Sequence, residues 1–246
     1  MKRFGARLID DRPALLARGA ALGRPRVHHR KVDSTNERAK ALAAAGAPHG
    51  TLVTADEQSL GRGRQGRAWS AAPGSSLLMS LVLRELGEHH AVLPLAAAVA
   101  VCEAAEACAP VACRVKWPND VWVDGRKVAG ILIEGRPQEG WAVLGVGLNA
   151  VDQELPEELR ETATTLGLDA VAPVLAALLG ALEARIDDPP ATTLVAWRAR
   201  DALRGRVVRW ADGEGIAAGV DDSGALLVQT SGGTAALQAG EVHLRR

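Results

Sequence analysis

An α+β fold, a mixed and largely antiparallel sheet packed on helices with a small β-barrel at its C-terminal end, is what this 246-residue sequence predicts. Three observations carry the prediction. The chain opens in a strand, helix, strand pattern; its middle holds two apolar runs around the turn pair Asp124-Gly125; and past Leu203 the texture changes to short apolar runs broken by glycines. The resulting division is a segment 1–26 too short for a domain, a main domain over 27–202 and a C-terminal domain over 203–246.

Within the first segment, Ala14-Leu15-Leu16-Ala17-Arg18 is a short helical pattern, followed by Gly19 and the turn-like Gly23-Arg24-Pro25. A strand begins at Val27, a helix runs from Thr35 to Ala45 and closes at Gly46, and Thr51 to Thr54 is extended. Ser76 to Leu83 reads as a buried strand and Pro94 to Ala107 as an alanine-rich core helix. Val121 to Val123 and Val128 to Glu134 form the hairpin around Asp124-Gly125, with a further strand from Trp141 to Val146. Two helices, Leu175 to Ile186 and Thr193 to Leu203, are separated by Asp187-Asp188-Pro189-Pro190, where proline cannot continue a helix. The C-terminal strands are Val207 to Trp210, Ile216 to Val220, Leu226 to Val228 and Glu241 to Leu244. The strands Val121 to Val146 offer a sheet edge for pairing with a second subunit, so a homodimer is one expected assembly.

A hydrophobic content of 48% suffices for one substantial core. The 29 basic and 29 acidic residues cancel, so attraction to phosphate must come from local clustering, which argues against a bulk nucleic-acid coat protein. Cys102, Cys108 and Cys113 have neither metal-site spacing nor the even count of a disulfide framework; they read as small buried hydrophobes in a helix and near its end. A reducing cytoplasm is the expected setting. The charged start Met1 to Arg7 lacks the apolar core of a secretory signal, and the apolar run Ala91 to Cys102 falls short of the roughly 20 residues that span a bilayer.

Gly61-Arg62-Gly63-Arg64-Gln65-Gly66-Arg67 sets arginines among glycines, so backbone amides can approach a phosphate while guanidinium forks neutralise its oxygens. Its spacing is not that of a P-loop. The same composition suits a flexible RNA-binding segment, although its place between two buried strands argues against a tail. Lys116-Trp117-Pro118-Asn119-Asp120 packs a cation, a flat apolar surface, a bend, an amide and a carboxylate together just before a strand, and reads either as a polar site or as a turn anchored by Trp117. Lys127 opens the next strand, where its stem can run along the sheet toward a buried anion. Ser34-Thr35-Asn36-Glu37 is either a capping-box helix start or a set of neutral groups for an uncharged polar ligand, and Gln58 suits the latter purpose. Gly145-Val146-Gly147-Leu148-Asn149 ends a strand with positions lacking side chains, leaving room for a flat or aliphatic ligand against the backbone.

In this order, these elements resemble the biotin protein ligases: the Ser34-Thr35-Asn36 helix start, the arginine loop with Trp69 behind it, Lys116 to Asp120, and Lys127-Val128-Ala129-Gly130-Ile131-Leu132 leading to Gly145 through Asn149. The likeness is close over Val27 to Asn149 and looser over the C-terminal barrel. It implies a catalytic domain like that of class II aminoacyl-tRNA synthetases with an SH3-like C-terminal domain, and an ATP-using enzyme, a biotin acetyl-CoA-carboxylase ligase. Such an enzyme forms biotinyl-5′-AMP from biotin and Mg-ATP, then transfers biotin to a lysine of a biotin carboxyl carrier protein. By motif position, Ser34, Thr35, Asn36 and Gln58 with the backbone at Gly61 and Arg62 would hold the ureido ring; Arg62, Arg64 and Arg67 would clamp phosphate under a closing loop, with Trp69 covering the ligand. Lys127 would bridge the biotin carboxyl and the α-phosphate with Lys116 in support, and Asp120 would receive the acceptor lysine. Gly130, Ile131, Gly145 and Gly147 would line the biotin tail, and Asn119 and Asn149 would stand on the phosphate side. Mg²⁺ would arrive bound mainly through ATP, with no protein metal site nominated.

Two departures qualify the likeness. Val151 to Ala172 lacks the tryptophan on which some family members stack adenine, so that contact is unassigned. Only about 26 residues precede the core, so a short form without the DNA-binding domain, and no DNA partner or membrane, is expected. The alternatives are a lipoate or octanoate ligase of related fold, and an RNA-binding protein; a single Phe, no Tyr and a neutral charge balance weigh against the latter.

Overall fold

A computed structural model describes residues 22–244 apart from Ala239, together with the backbone of residues 6–8. The helical pattern expected at Ala14 to Arg18 lies outside the described residues. The main sheet has eight strands: β1 (Ala6–Leu8), β2 (Arg26–His29), β3 (Leu52–Ala55), β4 (Ser76–Arg84), β5 (Cys113–Lys116), β6 (Asp120–Val123), β7 (Arg126–Arg136) and β8 (Trp141–Asn149), in the order β1-β2-β3-β4-β8-β7-β6-β5. Helix α1 (Thr35–Ala44) carries the chain back so that β2 and β3 run parallel; every other pairing is antiparallel, which makes the sheet mixed. Asp124 and Gly125 both take positive φ, 49° and 77°, the backbone that a tight β6–β7 turn requires.

β4 is buried at every position except Arg84 because the sheet is covered on both faces. Alternation divides its side chains. Leu77, Met79, Leu81 and Leu83 join the main core with α2 (Leu93–Cys108) and α3 (Ala172–Arg185), whereas Val82 packs with Ala39 and Ala43 of α1, Val53, Trp141 and Val143. Helix α2 is so alanine-rich that neighbours approach it closely on most sides. The stretch His90–Cys108 is long and apolar enough to cross a membrane by length and composition, longer than the run ending at Cys102 suggested, and two-thirds of it (67%) is buried inside the protein. Its acidic residues lie on the rim: Glu103 pairs with Arg185 and Glu106 with Arg200.

Some expectations are corrected. Cys113 does not end the helix but starts β5, a short strand the sequence reading missed. The strands over Val121 to Val146 are interior; the sheet ends at β5, and residues 200–202 already cover that edge through Val115 N to Arg200 O (2.8 Å) and Ala202 N to Val115 O (2.9 Å). Helix α4 (Pro190–Arg198) therefore stops before Leu203, because the chain must straighten to reach β5.

The C-terminal strands β9 (Val207–Trp210), β10 (Gly213–Val220), β11 (Leu226–Thr230), β12 (Gly233–Leu237) and β13 (His243–Leu244) form an antiparallel sheet in the order β12-β11-β10-β9-β13. β12, rich in Gly, Thr and Ala, carried no apolar signal. Val208, Ala217, Leu226, Val228 and Val242 belong to the same core as α2. Trp117, buried, donates its Nε1 hydrogen to Gly224 O at 3.0 Å, so the Lys116 to Asp120 turn is fastened to this second sheet.

Candidate active site

A cleft lies over β7 and β8, walled by the N-terminus of α1, the 62–69 loop, the β5–β6 turn and residues 240–242 of the C-terminal domain. It gathers Ser34, Thr35, Asn36 and Gln58 at one end, with Arg62 beside them through Glu37 of α1, Gly130, Ile131, Gly145 and Gly147 on its floor, and Arg64, Arg67, Lys116, Asn119, Asp120 and Lys127 at the other, with Trp69 also in the lining. Gly61 and Asn149 do not line it. Asn149 is buried and turned away: its amide donates to Thr164 O (3.0 Å) and its carbonyl accepts from Ser76 Oγ (3.2 Å), so it fastens a neighbouring loop rather than facing a phosphate.

The neutral end is fully built. Ser34 is the N-cap of α1 but makes no side-chain capping bond, so the capping-box alternative is not realised. Backbone bonds from Val32 N to Glu57 O (3.0 Å) and Ser59 N to Val32 O (2.9 Å) bring Gln58 beside the helix start. Its Oε1 accepts from Thr35 N (2.7 Å) and Thr35 Oγ1 (3.0 Å). Ser80 Oγ stands 2.8 Å from Thr35 Oγ1 and 2.5 Å from Asn36 Oδ1. Asn36 Nδ2 donates to Glu134 Oε2 (2.9 Å), whose other oxygen takes Lys40 Nζ (2.9 Å). Burial opposes ionisation of Glu134, yet these two donors hold its carboxyl below the ordinary range. The orientations of Thr35, Asn36 and Ser80 are therefore set by neighbours.

The floor depends on absent side chains. A Cβ on Gly145 would lie 2.1 Å from Asn36 Oδ1, and one on Gly147 2.5 Å from Trp69 Cε2. Trp69 is held by its own N donating to Gly61 O (2.9 Å), and its indole lies across the floor. The buried Nε1 hydrogen of Trp69 finds no hydrogen-bond partner among the described residues.

Each loop arginine meets a partner: Arg62 with Glu37 of α1 (2.9 Å), Arg64 with Asn119 Oδ1 (3.3 Å), and Arg67 with Glu241. Lys127 Nζ contacts Asp120 Oδ1 at 2.7 Å. Antiparallel register puts Lys116 directly opposite Asp120, and Asp120 opposite Gly130. Burial lowers the Lys116 pKa; Asp120 opposes the shift and Lys127 and Arg67 add to it. Burial likewise lowers that of Arg64, opposed by Asp120. Such crowding of cations around little negative charge favours an anionic ligand.

Sequence reasoning missed Ser80, Glu134, Met79, Leu132 and the 240–242 segment. A serine within the apolar run Ser76 to Leu83 was the available signal for Ser80. Glu241 had none, because only the tertiary fold brings the second sheet to the cleft.

Comparisons with known proteins find similarity along most of the chain. The family model described as "Biotin/lipoate A/B protein ligase family" matches residues 29–149, and "Biotin protein ligase C terminal domain" matches residues 204–245. The chain is 33% identical to the bifunctional ligase/repressor BirA of Bacillus subtilis, covering 99% of this chain and 83% of that protein. It is 37% identical to the biotin--[acetyl-CoA-carboxylase] ligase of Mycobacterium tuberculosis, covering 86% of each. Among solved structures, the biotin protein ligase of Aquifex aeolicus in complex with biotin and ATP superposes with a TM-score of 0.79 at 30% identity, covering 90% of this chain and 98% of that one.

Proposed function

This chain belongs to the biotin protein ligase family, and from that premise we propose how its cleft divides the work of ATP-dependent biotin ligation. The enzyme joins biotin to ATP as biotinyl-5′-AMP, releasing pyrophosphate, and passes the biotinyl group to a lysine of a carboxylase carrier protein, releasing AMP. One observation carries the assignment: a single cleft joins a hydrogen-bonding cluster of uncharged side chains, a glycine-lined floor and a cluster of cations that outnumbers its carboxylates Asp120 and Glu241.

In this reading Ser34, Thr35, Asn36 and Gln58 take the uncharged ureido ring, and Gly130, Ile131, Gly145 and Gly147 bed the aliphatic tail. The arginine loop and Lys116 face the phosphates, with Asn119 orienting Arg64. Lys127 stabilises negative charge shared between the biotin carboxyl and the α-phosphate, where fixed cations contribute most to rate. Lys127 is paired with Asp120 in the structure, so a turn toward the ligand frees Asp120 to receive the acceptor lysine. Mg²⁺ would arrive with ATP, held mainly through phosphate oxygens whose charge it screens. Residues 203–246 act as a second domain that supplies Glu241.

Incubation with labelled biotin, ATP, Mg²⁺ and a biotin carrier domain should label the carrier lysine. Acceptance of lipoate or octanoate in place of biotin would sink the substrate assignment. A second arm isolates Asp120: Asp120→Ala should slow transfer from preformed adenylate, and unchanged transfer would remove that role.

A further inference from the structure

The charged end contains a repeated device. Lys127 Nζ lies 5.5 Å from the centre of the Trp69 ring, and Lys116 Nζ lies 5.6 Å from that of Trp122. Both lysines and Trp69 line the cleft; Trp122 stands outside its lining. On β6, Asp120 and Trp122 are two residues apart and share a face. In the β5–β6 ladder Lys116 pairs with Asp120 and Arg114 with Trp122, so Trp122 is the diagonal neighbour of Lys116, within reach of a long side chain.

The groups facing Lys116 explain why it needs this neighbour. Asp120 alone favours its charge; Lys127 and Arg67 oppose it. His243 on β13 is itself disfavoured as a cation by burial, by Lys116 and by Arg67. Lys127, at 2.7 Å, competes with Lys116 for Asp120. The negative face of an indole is then a second place where the ammonium is stabilised, and it carries no formal charge that would draw the lysine away from an incoming phosphate.

We propose that Trp122 is a positioning residue of the adenylation step, holding the Lys116 ammonium at the phosphate end of the cleft. This rests on the reading of Lys116 as a phosphate-facing cation. Trp69 does the same for Lys127 from inside the cleft, so the two lysines flanking Asp120 are each seated on an indole before substrate arrives.

The test is ATP–pyrophosphate exchange with biotin as a function of pH, for the wild type, Trp122→Leu, Trp122→Phe, Lys116→Ala and the double variant Lys116→Ala/Trp122→Leu. Loss of the ring removes a stabiliser of the ammonium, so the pKa of Lys116 falls. The alkaline limb of exchange should move down by about 0.5–1 pH unit in Trp122→Leu and by less in Trp122→Phe. In the Lys116→Ala background Trp122→Leu should add nothing. An unshifted alkaline limb, or an equal loss with and without Lys116, would overturn the proposal. A fully active Lys116→Ala would overturn the role of Lys116 beneath it, and a wild type without exchange would overturn the ligase reading itself.

Discussion

The two ends of the cleft are built on opposite principles. At the neutral end Thr35 and Asn36 are 4% exposed and Ser80 is 0%, and each polar atom is aimed by another. At the charged end the side chain of Arg67 is 55% exposed and leans on Glu241. An uncharged ring can be bound only by hydrogen bonds of correct direction, so its site must be rigid beforehand. A polyphosphate is recognised mainly by charge, which tolerates movement, and a reactive anhydride benefits from a loop that closes over it and excludes water.

Each end can be broken separately. The largest effect is expected from Lys127→Ala, which removes the cation nearest both Asp120 and the floor: exchange should fall about 10²–10³-fold, as for loss of one electrostatic stabiliser in other enzymes, while biotin still binds. Parallel loss of biotin binding would show that the two ends are not independent. Gly145→Val comes next, because its side chain would occupy the position of Asn36 Oδ1. Biotin affinity should fall about tenfold or more by calorimetry, at the ~1.4 kcal/mol per decade that any lost interaction must exceed, while ATP binding is spared. Undiminished biotin affinity would disprove a preformed neutral end. The smallest effect belongs to the Arg67 and Glu241 pair. Its exposure limits the coupling in a double-mutant cycle to about 1 kcal/mol or less, and Glu241→Ala should leave thermal stability nearly unchanged. A coupling well above that would mean a fixed latch rather than a movable one.

Much of this was legible because the site uses residues that are unusual where they stand. A run of arginines among glycines, a Lys-Trp-Pro-Asn-Asp turn and a strand with glycines at Gly145 and Gly147 all break local rules, and such breaks mark function. The capping-box alternative at Ser34 was undecidable from the sequence, since the same residues satisfy both uses; the structure shows no side-chain cap there. Asn149 shows the converse, a residue whose motif pointed to the ligand and whose side chain is used by Ser76 and Thr164.

The sequence by itself determined the α+β class, most element positions, the hairpin at Asp124-Gly125 and the residue types at both ends of the cleft, because periodicity, turn chemistry and local clustering are properties of neighbours along the chain. Only the tertiary structure decided that β6 to β8 are interior, that the 200–202 segment seals the sheet edge, that Ser80 and Glu134 orient Asn36, that Glu241 reaches Arg67, and that Trp122 stands over Lys116. Those relations join residues far apart in sequence. They depend on sheet register and on how two layers pack, neither of which any local window encodes.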